Sequence, residues 1–348
     1  MKGIILIIIL STGFAQAQQT VIEKTAQLIK AHYVSEEKGA KIAEHLLQQY
    51  KAGTFNTKPL DSVVTAVLQR FSHDGHLYLR YDPQPLKEEE SDENLFYYGP
   101  KAIENNYGFR EVKVLDGNIG YIKLSEINIS DKSLPLLYAA MRFVTNTKAL
   151  IIDLQYNGGG GSNIGAVLES YFLPKNTQLL EFKSRTGGVE VERTVTWLTE
   201  ERYNKPLYIL VNGRTASAAE AFAYVLQARK RAKIVGQTSA GGANMNQFYR
   251  VNNEYYVSVS IAAPALPGTD SSWEQKGVQP DQVTQPGEEI KVVRELISAD
   301  RTVTATGREL TSPGKTATGT STSPGKSIPT ATGTITSSGN TTTQPHSQ

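Results

Sequence analysis

The sequence predicts an α/β fold behind a small helical module, and three observations carry that prediction. Residues from Val21 to Arg70 keep helical spacing of apolar side chains. From Tyr107 to Ile297 short apolar runs alternate with amphipathic ones, as strands and helices do in an α/β domain. Beyond Asp300 the chain turns to Thr, Ser, Gly and Pro with almost no large apolar residue, which predicts a disordered tail over 301–348.

In "VIEKTAQLIKAHYV", Val21, Ile22, Ala26, Ile29 and Tyr33 fall on one helical stripe. "KGAKIAEHLLQQYKAG" repeats the pattern and stops at Gly53, and "LDSVVTAVLQRF" forms a third helix with Asp61 near its start. "HLYLRY" (His76 to Tyr81) then alternates as a strand does, closing a helical domain over 18–80. A linker over 81–106 contains "KEEESDEN", a solvated charged loop.

The domain over 107–300 opens with "FREVKVLDGNIGYIKL", a hairpin turning at Asp116-Gly117-Asn118. "LPLLYAAMRFVTN" follows as a helix and "ALIIDL" as a buried strand. A glycine run leads into a helix in "IGAVLESYF", "PLYILV" is a second buried strand, and "AKIVG" a third. "FYRVNNEYYVSVSI" is a hairpin turning at Asn252-Asn253, and "EEIKVVRELI" is the closing helix.

The N-terminus has the form of a signal peptide over 1–17. Lys2 supplies the positive start, Ile4 to Leu10 the apolar centre, and Ala15-Gln16-Ala17 the small-residue cleavage site. The apolar run is shorter than the roughly 20 residues a spanning helix needs. The mature chain is therefore expected to begin near Gln18 and to be secreted or periplasmic, without a membrane span. Asn128-Ile129-Ser130 would be a glycosylation acceptor only on a eukaryotic secretory route. The 348 residues carry a net charge of only +2, so no global field directs the chain to nucleic acid. With no cysteine, a disulfide scaffold, a zinc–thiolate site and a cysteine nucleophile are all excluded.

Four segments can hold chemistry. "DLQYNGGGGSNIG" breaks both nucleotide patterns: the dinucleotide pattern needs glycine where Asn163 stands, and the phosphate loop needs lysine where Ala166 follows Gly165. What remains is bare backbone whose N–H groups can hold an anion, or a flexible turn. "NGRTASAAEAFAY" sets Ser217 at a helix start, where Ser-x-x-Glu reads equally as a capping box or as a nucleophile on a positive helix end. Of five histidines, His32 and His45 lie in helices and His346 in the tail, which leaves His73 and His76 in "SHDGHLYL". His76 begins a strand, a rigid place for a base that must hold one tautomer. Glu274 in "SSWEQKGVQPD" is a candidate orienting acid beside Trp273, or a surface acid in a loop. Lysine, the other base used with serine, is missing from "QTSAGGANMNQ".

Taken in order, "DGHLYL", "NYGFREVKVLDGNIGYIKL", "LIIDLQYNGGGG", "NGRTASAAEAFAY", "IVGQTSAGGAN" and "WEQKGVQPD" resemble the tail-specific, or C-terminal processing, serine protease family. The nearest branch resembles the one shared with tricorn protease and interphotoreceptor retinoid-binding protein. The resemblance runs from about Val21 to Ile297 and implies a crotonase- or Clp-like core of β-β-α units behind the helical module. It implies Ser217 as nucleophile, His76 as base and Glu274 as acid. Backbone N–H groups of Gly158 or Gly159, with Ala218, would form the oxyanion hole. Peptides or proteins would be the substrate, with no metal or organic cofactor.

The chain also departs from the family. Gly242 stands about where the Ser–Lys members carry lysine, Gln155 where arginine is usual, and Asn244 where this branch often has histidine. The stretch from Tyr81 to Gly108 is too short for the PDZ domain with which many relatives capture a C-terminus. A serine peptidase is one expectation. The other is a non-catalytic binding module for an apolar ligand or a peptide end, since the retinoid-binding relatives keep the fold as carriers. With Ser217 spent on catalysis, Thr215 or Asn212 would serve the helix start.

Overall fold

A computed structural model describes residues 2–56, 59–83 and 96–309, with side chains within 16–299. Residues 1–300 form one compact unit. A second unit spans 301–348, of which 301–309 are described, as helix. The loop "KEEESDEN" and the rest of the expected tail lie outside the described residues.

Three helices open the chain: α1 (Lys2–His32), α2 (Glu36–Lys51) and α3 (Leu60–Ser72). The periodic residues of α1 turn inward, with Val21, Ile22, Ala26 and Ile29 each 4% exposed or less, and Tyr33, just past its end, is buried as well. α2 starts at Ser35, whose hydroxyl accepts the Lys38 N–H, and Glu36 and Glu37 add favourable charge at the helix N-terminus. α1 continues unbroken through the segment expected to be a leader. Among the described residues no helix is long and apolar enough to cross a membrane.

α3 stops where His73 takes a left-handed conformation, φ 56°. The chain then enters β1 (Tyr78–Tyr81). The helices do not stand apart from the strands. Leu77 and Leu79 pack with the helices and with Val257 and Val259 of a later strand in one apolar core. The expected linker also holds structure, a short helix α4 (Pro100–Glu104).

From there the chain builds β2 (Phe109–Leu115), β3 (Ile119–Leu124), β4 (Ile127–Ile129), α5 (Leu134–Val144), β5 (Ala149–Asp153), β6 (Gly160–Ser162) and α6 (Val167–Ser170). Next come β7 (Gln178–Ser184), β8 (Val189–Arg193), β9 (Leu207–Val211), α7 (Ala218–Ala228), β10 (Lys233–Gly236), β11 (Met245–Arg250), β12 (Tyr255–Ala265), β13 (Gln282–Val283) and α8 (Glu289–Glu309). α8 runs on into the segment expected as tail. α6 is a single turn where a full helix was expected, bounded by Gly165 at φ 85° and by Pro174.

The strands form two main sheets. One has the order β13-β10-β9-β5-β3-β2, parallel except for the β2–β3 hairpin. Both its faces are covered: Ile152 and Ile209 join the main core with Phe222 and Leu226, while Ile151 and Tyr208 pack toward Ile290 and Val293 of α8. Burial on two faces is why β5 and β9 read as unbroken apolar runs. The other sheet has the order β1-β12-β7-β8, antiparallel, with β11 also paired to β12. Its β1 and β12 carry the helical module on one face.

The sequon at Asn128 is not a surface feature. Asn128 is fully buried, and its amide donates to Phe96 O at 2.9 Å and to Glu126 Oε1 at 3.0 Å.

Candidate active site

Ser217 sits where β9 turns into α7. Its backbone takes φ 54°, ψ −125°, a strained conformation for a residue with a Cβ and worth on the order of 1–3 kcal/mol. Neighbours fix it there. Thr215 Oγ1 donates to Leu154 O at 2.8 Å and accepts the Asn212 N–H at 3.0 Å. Ala216 N–H donates to Asn157 O at 2.9 Å. Thr215 and Asn212 thus brace the turn before the serine and do not cap the helix.

Ser217 and Glu220 face each other as the capping box their spacing offers, and the larger part of it falls to Glu220. Its carboxylate accepts the Ser217 N–H at 2.9 Å, the Ser239 hydroxyl at 2.5 Å, and the N–H groups of Gly241 at 2.7 Å and Gly242 at 2.9 Å. Glu220 is fully buried, and burial pushes its carboxyl above the usual range while the four donors pull it back. One buried acid therefore ties the serine turn to the loop after β10. The Ser-x-x-Glu spacing carried that residue, but only as a cap.

The glycine run lies beside Ser217. At Gly159, φ is +102°, and a Cβ there would come within 2.5 Å of Ser217 Cβ, so the position admits glycine alone. Its N–H is already bound to Asn157 Oδ1 at 2.9 Å, which removes Gly159 from the oxyanion donors expected from sequence. Asn157 is itself fully buried and donates to Leu124 O at 3.0 Å. For the N–H groups of Gly158 and Ala218 no acceptor exists among the described residues, and Gly158 lines the same cleft as Ser217. The pair left is Gly158 with Ala218.

His76 arrives from the other sheet, just ahead of β1. It lines the cleft that holds Ser217, a hollow of about 1610 Å³. His73 lines it too, but at its left-handed helix end. The two walls meet at Gly242, where a Cβ would lie 3.0 Å from His76 Cε1 and 3.8 Å from Glu220 Oε2. The imidazole thus stands against the position at which the Ser–Lys pattern has lysine. Burial lowers the His76 pKa, and the nearby Asp74 carboxylate partly offsets this.

Glu274 hangs beside the same loop. Its Oε2 accepts the N–H groups of Ala243 at 2.6 Å and Asn244 at 3.1 Å. Its Oε1 is buried with no hydrogen-bond partner among the described residues, and so is His76 Nδ1. Burial raises Glu274 to about 7, and the charges of Asp74 and Glu220 push the same way. Among the described residues no hydrogen bond joins His76 to Ser217 or to Glu274. Loose catalytic contacts are common before substrate binds.

Asp74 was legible only as half of a turn. It is 1% exposed, and Oδ1 accepts the His76 N–H at 2.9 Å. Oδ2 accepts the Tyr33 hydroxyl at 2.9 Å and Asn244 Nδ2 at 3.4 Å. Both its oxygens are occupied, whereas Glu274 keeps one open. Among the described residues no group of acidic or histidine side chains is arranged to hold a metal.

Residues 118–284 match the model of Peptidase family S41, and residues 9–114 match the N-terminal domain of S41 peptidases in eukaryotic interphotoreceptor retinoid-binding protein. The chain is 25% identical over 190 residues to the carboxy-terminal processing protease CtpA of Bacillus subtilis, covering 54% of this chain and 39% of that protein. It is 28% identical over 163 residues to the chloroplastic carboxyl-terminal-processing peptidase 2 of Arabidopsis thaliana, covering 47% and 31%. The match thus spans well under half the length of these relatives. In fold it is similar to a lipoprotein from Streptococcus agalactiae (TM-score 0.53, 17% identity, 81% of this chain and 96% of that one). It is also similar to the tricorn protease (TM-score 0.50, 14% identity, 81% and 36%). With both of its parts matched in order along one compact unit, the chain belongs to peptidase family S41.

Proposed function

We propose that the protein is an extracytoplasmic serine peptidase with a Ser217–His76–Glu274 triad. The observation that carries this reading is the meeting of Ser217 and His76 in one cleft, with His76 Nδ1 and Glu274 Oε1 both buried and unsatisfied. Leaving two such groups unpaired costs roughly 1–3 kcal/mol each, and a bond between them when substrate seats would recover it. In this triad Nδ1 takes the acid and Nε2 the serine.

Ser217 Oγ attacks the peptide carbonyl carbon and its proton passes to His76. The C–N bond breaks, His76 returns that proton to the departing amine, and an ester to Ser217 remains. Water activated by the same imidazole hydrolyses the ester. The N–H groups of Gly158 and Ala218 hold the negative oxygen at the serine end of α7. Replacing Ser217 by Ala should lower turnover by roughly three or more powers of ten. A serine-directed fluorophosphonate should label the wild type at Ser217. Folded wild-type protein that neither takes the label nor cleaves a peptide library would support the binding module instead.

The extracytoplasmic part rests on the leader pattern. Ala17 is exposed, and Val21 is the first buried residue among the described side chains, so cutting after Ala17 removes no described buried side chain. Sequencing the N-terminus of protein recovered outside the cytoplasm should give Gln18.

A further inference from the structure

The chain contains no cysteine and three methionines, so its sulfur chemistry is that of three thioethers. Met1 lies in the expected leader. Met141 stands in the main core, 4% exposed. Met245 is 40% exposed and lines the cleft with Ser217 and His76. Once the leader is gone, the one thioether open to a dissolved oxidant stands in the cleft of the candidate nucleophile.

The backbone here is held while the side chain stays open. Asn244, the residue before, gives its N–H to Glu274 Oε2 at 3.1 Å and its side-chain amide to Asp74 Oδ2 at 3.4 Å. Met245 begins β11, and the pairing with β12 shifts register between Met245 and Asn246, so this end of the strand departs from the regular ladder. Phe96, Phe248 and Ile261 line the same cleft. A change at the sulfur therefore alters the polarity of the cleft and leaves the segment that serves Glu274 in place.

We propose that Met245 is an oxidation site through which peroxides turn the enzyme down. The sulfur lone pair attacks one peroxide oxygen, the O–O bond breaks, an S–O bond forms and water leaves. Sulfur gives up two electrons and the peroxide takes them. The sulfoxide is polar and chiral where the thioether was apolar, and dedicated reductases reverse the change. An apolar substrate side chain then meets a strong dipole, and substrate binding weakens. The chemistry at sulfur stands by itself, and its consequence for turnover rests on the peptidase reading.

The test exposes the full-length protein to dilute hydrogen peroxide with a metal chelator present, then removes the peroxide with catalase. Peptide mapping by mass spectrometry should find an added oxygen at Met245 roughly tenfold sooner than at Met141. KM for an apolar peptide should rise roughly threefold or more, with kcat changed by less than about twofold. Fluorophosphonate labelling of Ser217 should persist. Methionine sulfoxide reductases of both stereospecificities should restore KM. Met245→Leu, read against its own untreated rate, should lose nothing to peroxide. Met245→Gln, a polar stand-in for the sulfoxide, should show a raised KM without it. Oxygen uptake at Met141 ahead of Met245, an oxidised Met245 with KM unchanged, or equal loss of activity in Met245→Leu overturns the proposal. Selective uptake at Met245 in a protein that, untreated, neither cleaves peptides nor takes a fluorophosphonate would sink the peptidase reading and leave the oxidation site standing.

Discussion

The Tyr33 hydroxyl donates to Asp74 Oδ2 at 2.9 Å, and Asp74 Oδ1 in turn holds the His76 N–H at 2.9 Å. The last buried residue of the helical module's first segment thus reaches the backbone of the candidate base in two hydrogen bonds. The module is part of the site's support.

Asp74→Asn keeps the shape but presents an amide where a carboxylate accepted. We expect kcat to fall roughly 10- to 100-fold with KM little changed, and stability to fall by about 1–3 kcal/mol for the donors left unpaired. Tyr33→Phe should give a smaller change in the same direction. Steady-state kinetics with urea unfolding of both variants checks this, and an unchanged kcat would place Asp74 outside the machinery.

The pH profile should have its acid limb near 7. Glu274 must be ionised to hold an imidazolium, and burial raises it to about 7, while burial moves His76 below its usual 6.5. Activity then falls as pH drops through 7, and Glu274→Gln leaves a weaker activity whose limb lies below 6.5. The linkage to stability has a definite sign. The folded carboxyl binds its proton more tightly than the ordinary 4.5, so its contribution is full below 4.5 and is lost as pH rises through 7. A kcat/KM profile flat from pH 8 to 5.5 would contradict the assignment.

Gly242→Ala places a methyl 3.0 Å from His76 Cε1 without forcing an unusual backbone angle. The ring must give way, and displacement of a base by a few tenths of an ångström is felt in rate more than in stability. We expect kcat/KM to fall about tenfold or more, with the unfolding midpoint moved by less than about 1 kcal/mol. Gly242→Lys should abolish activity, because the imidazole stands where the new side chain would start.

Glu220→Ala leaves four donors facing a void, with an expected loss of roughly 3 kcal/mol or more. Fluorophosphonate labelling of Ser217 should slow as well, since the serine turn loses its anchor. Thermal unfolding and labelling rate should move together. A variant that labels at the wild-type rate would make Glu220 purely structural.

Much of this was legible from local pattern. The stripe of α1 and the unbroken runs of β5 and β9 each report a face, or two faces, hidden from water, and periodicity records that directly. The order of the six marked segments brought out Ser217, His76 and Glu274 as candidates. Asp74 and Glu220 were hidden because turn and cap are local roles that fit them equally well. Only the fold brings Tyr33 and Asn244 to the one and Ser239, Gly241 and Gly242 to the other. Gly159 was over-read, since nothing in a run of four glycines says which N–H the Asn157 side chain will claim. α6 is shorter than its pattern predicts: all-round apolar character in "IGAVLESYF" marks burial rather than a long helix, and the helix ends after one turn, at Ser170.

The burial of Asn128 bears on how the protein can be produced. An oligosaccharide is transferred to Asn-x-Ser as the nascent polypeptide emerges, before this side chain closes on Phe96 and Glu126. A sugar attached there has nowhere to go once β4 and β6 pair. Secretion from yeast or insect cells should therefore yield two populations, a sugar-free one that folds and a modified one that is retained, and Asn128→Gln would not rescue the amide's two bonds as cleanly as a bacterial host would.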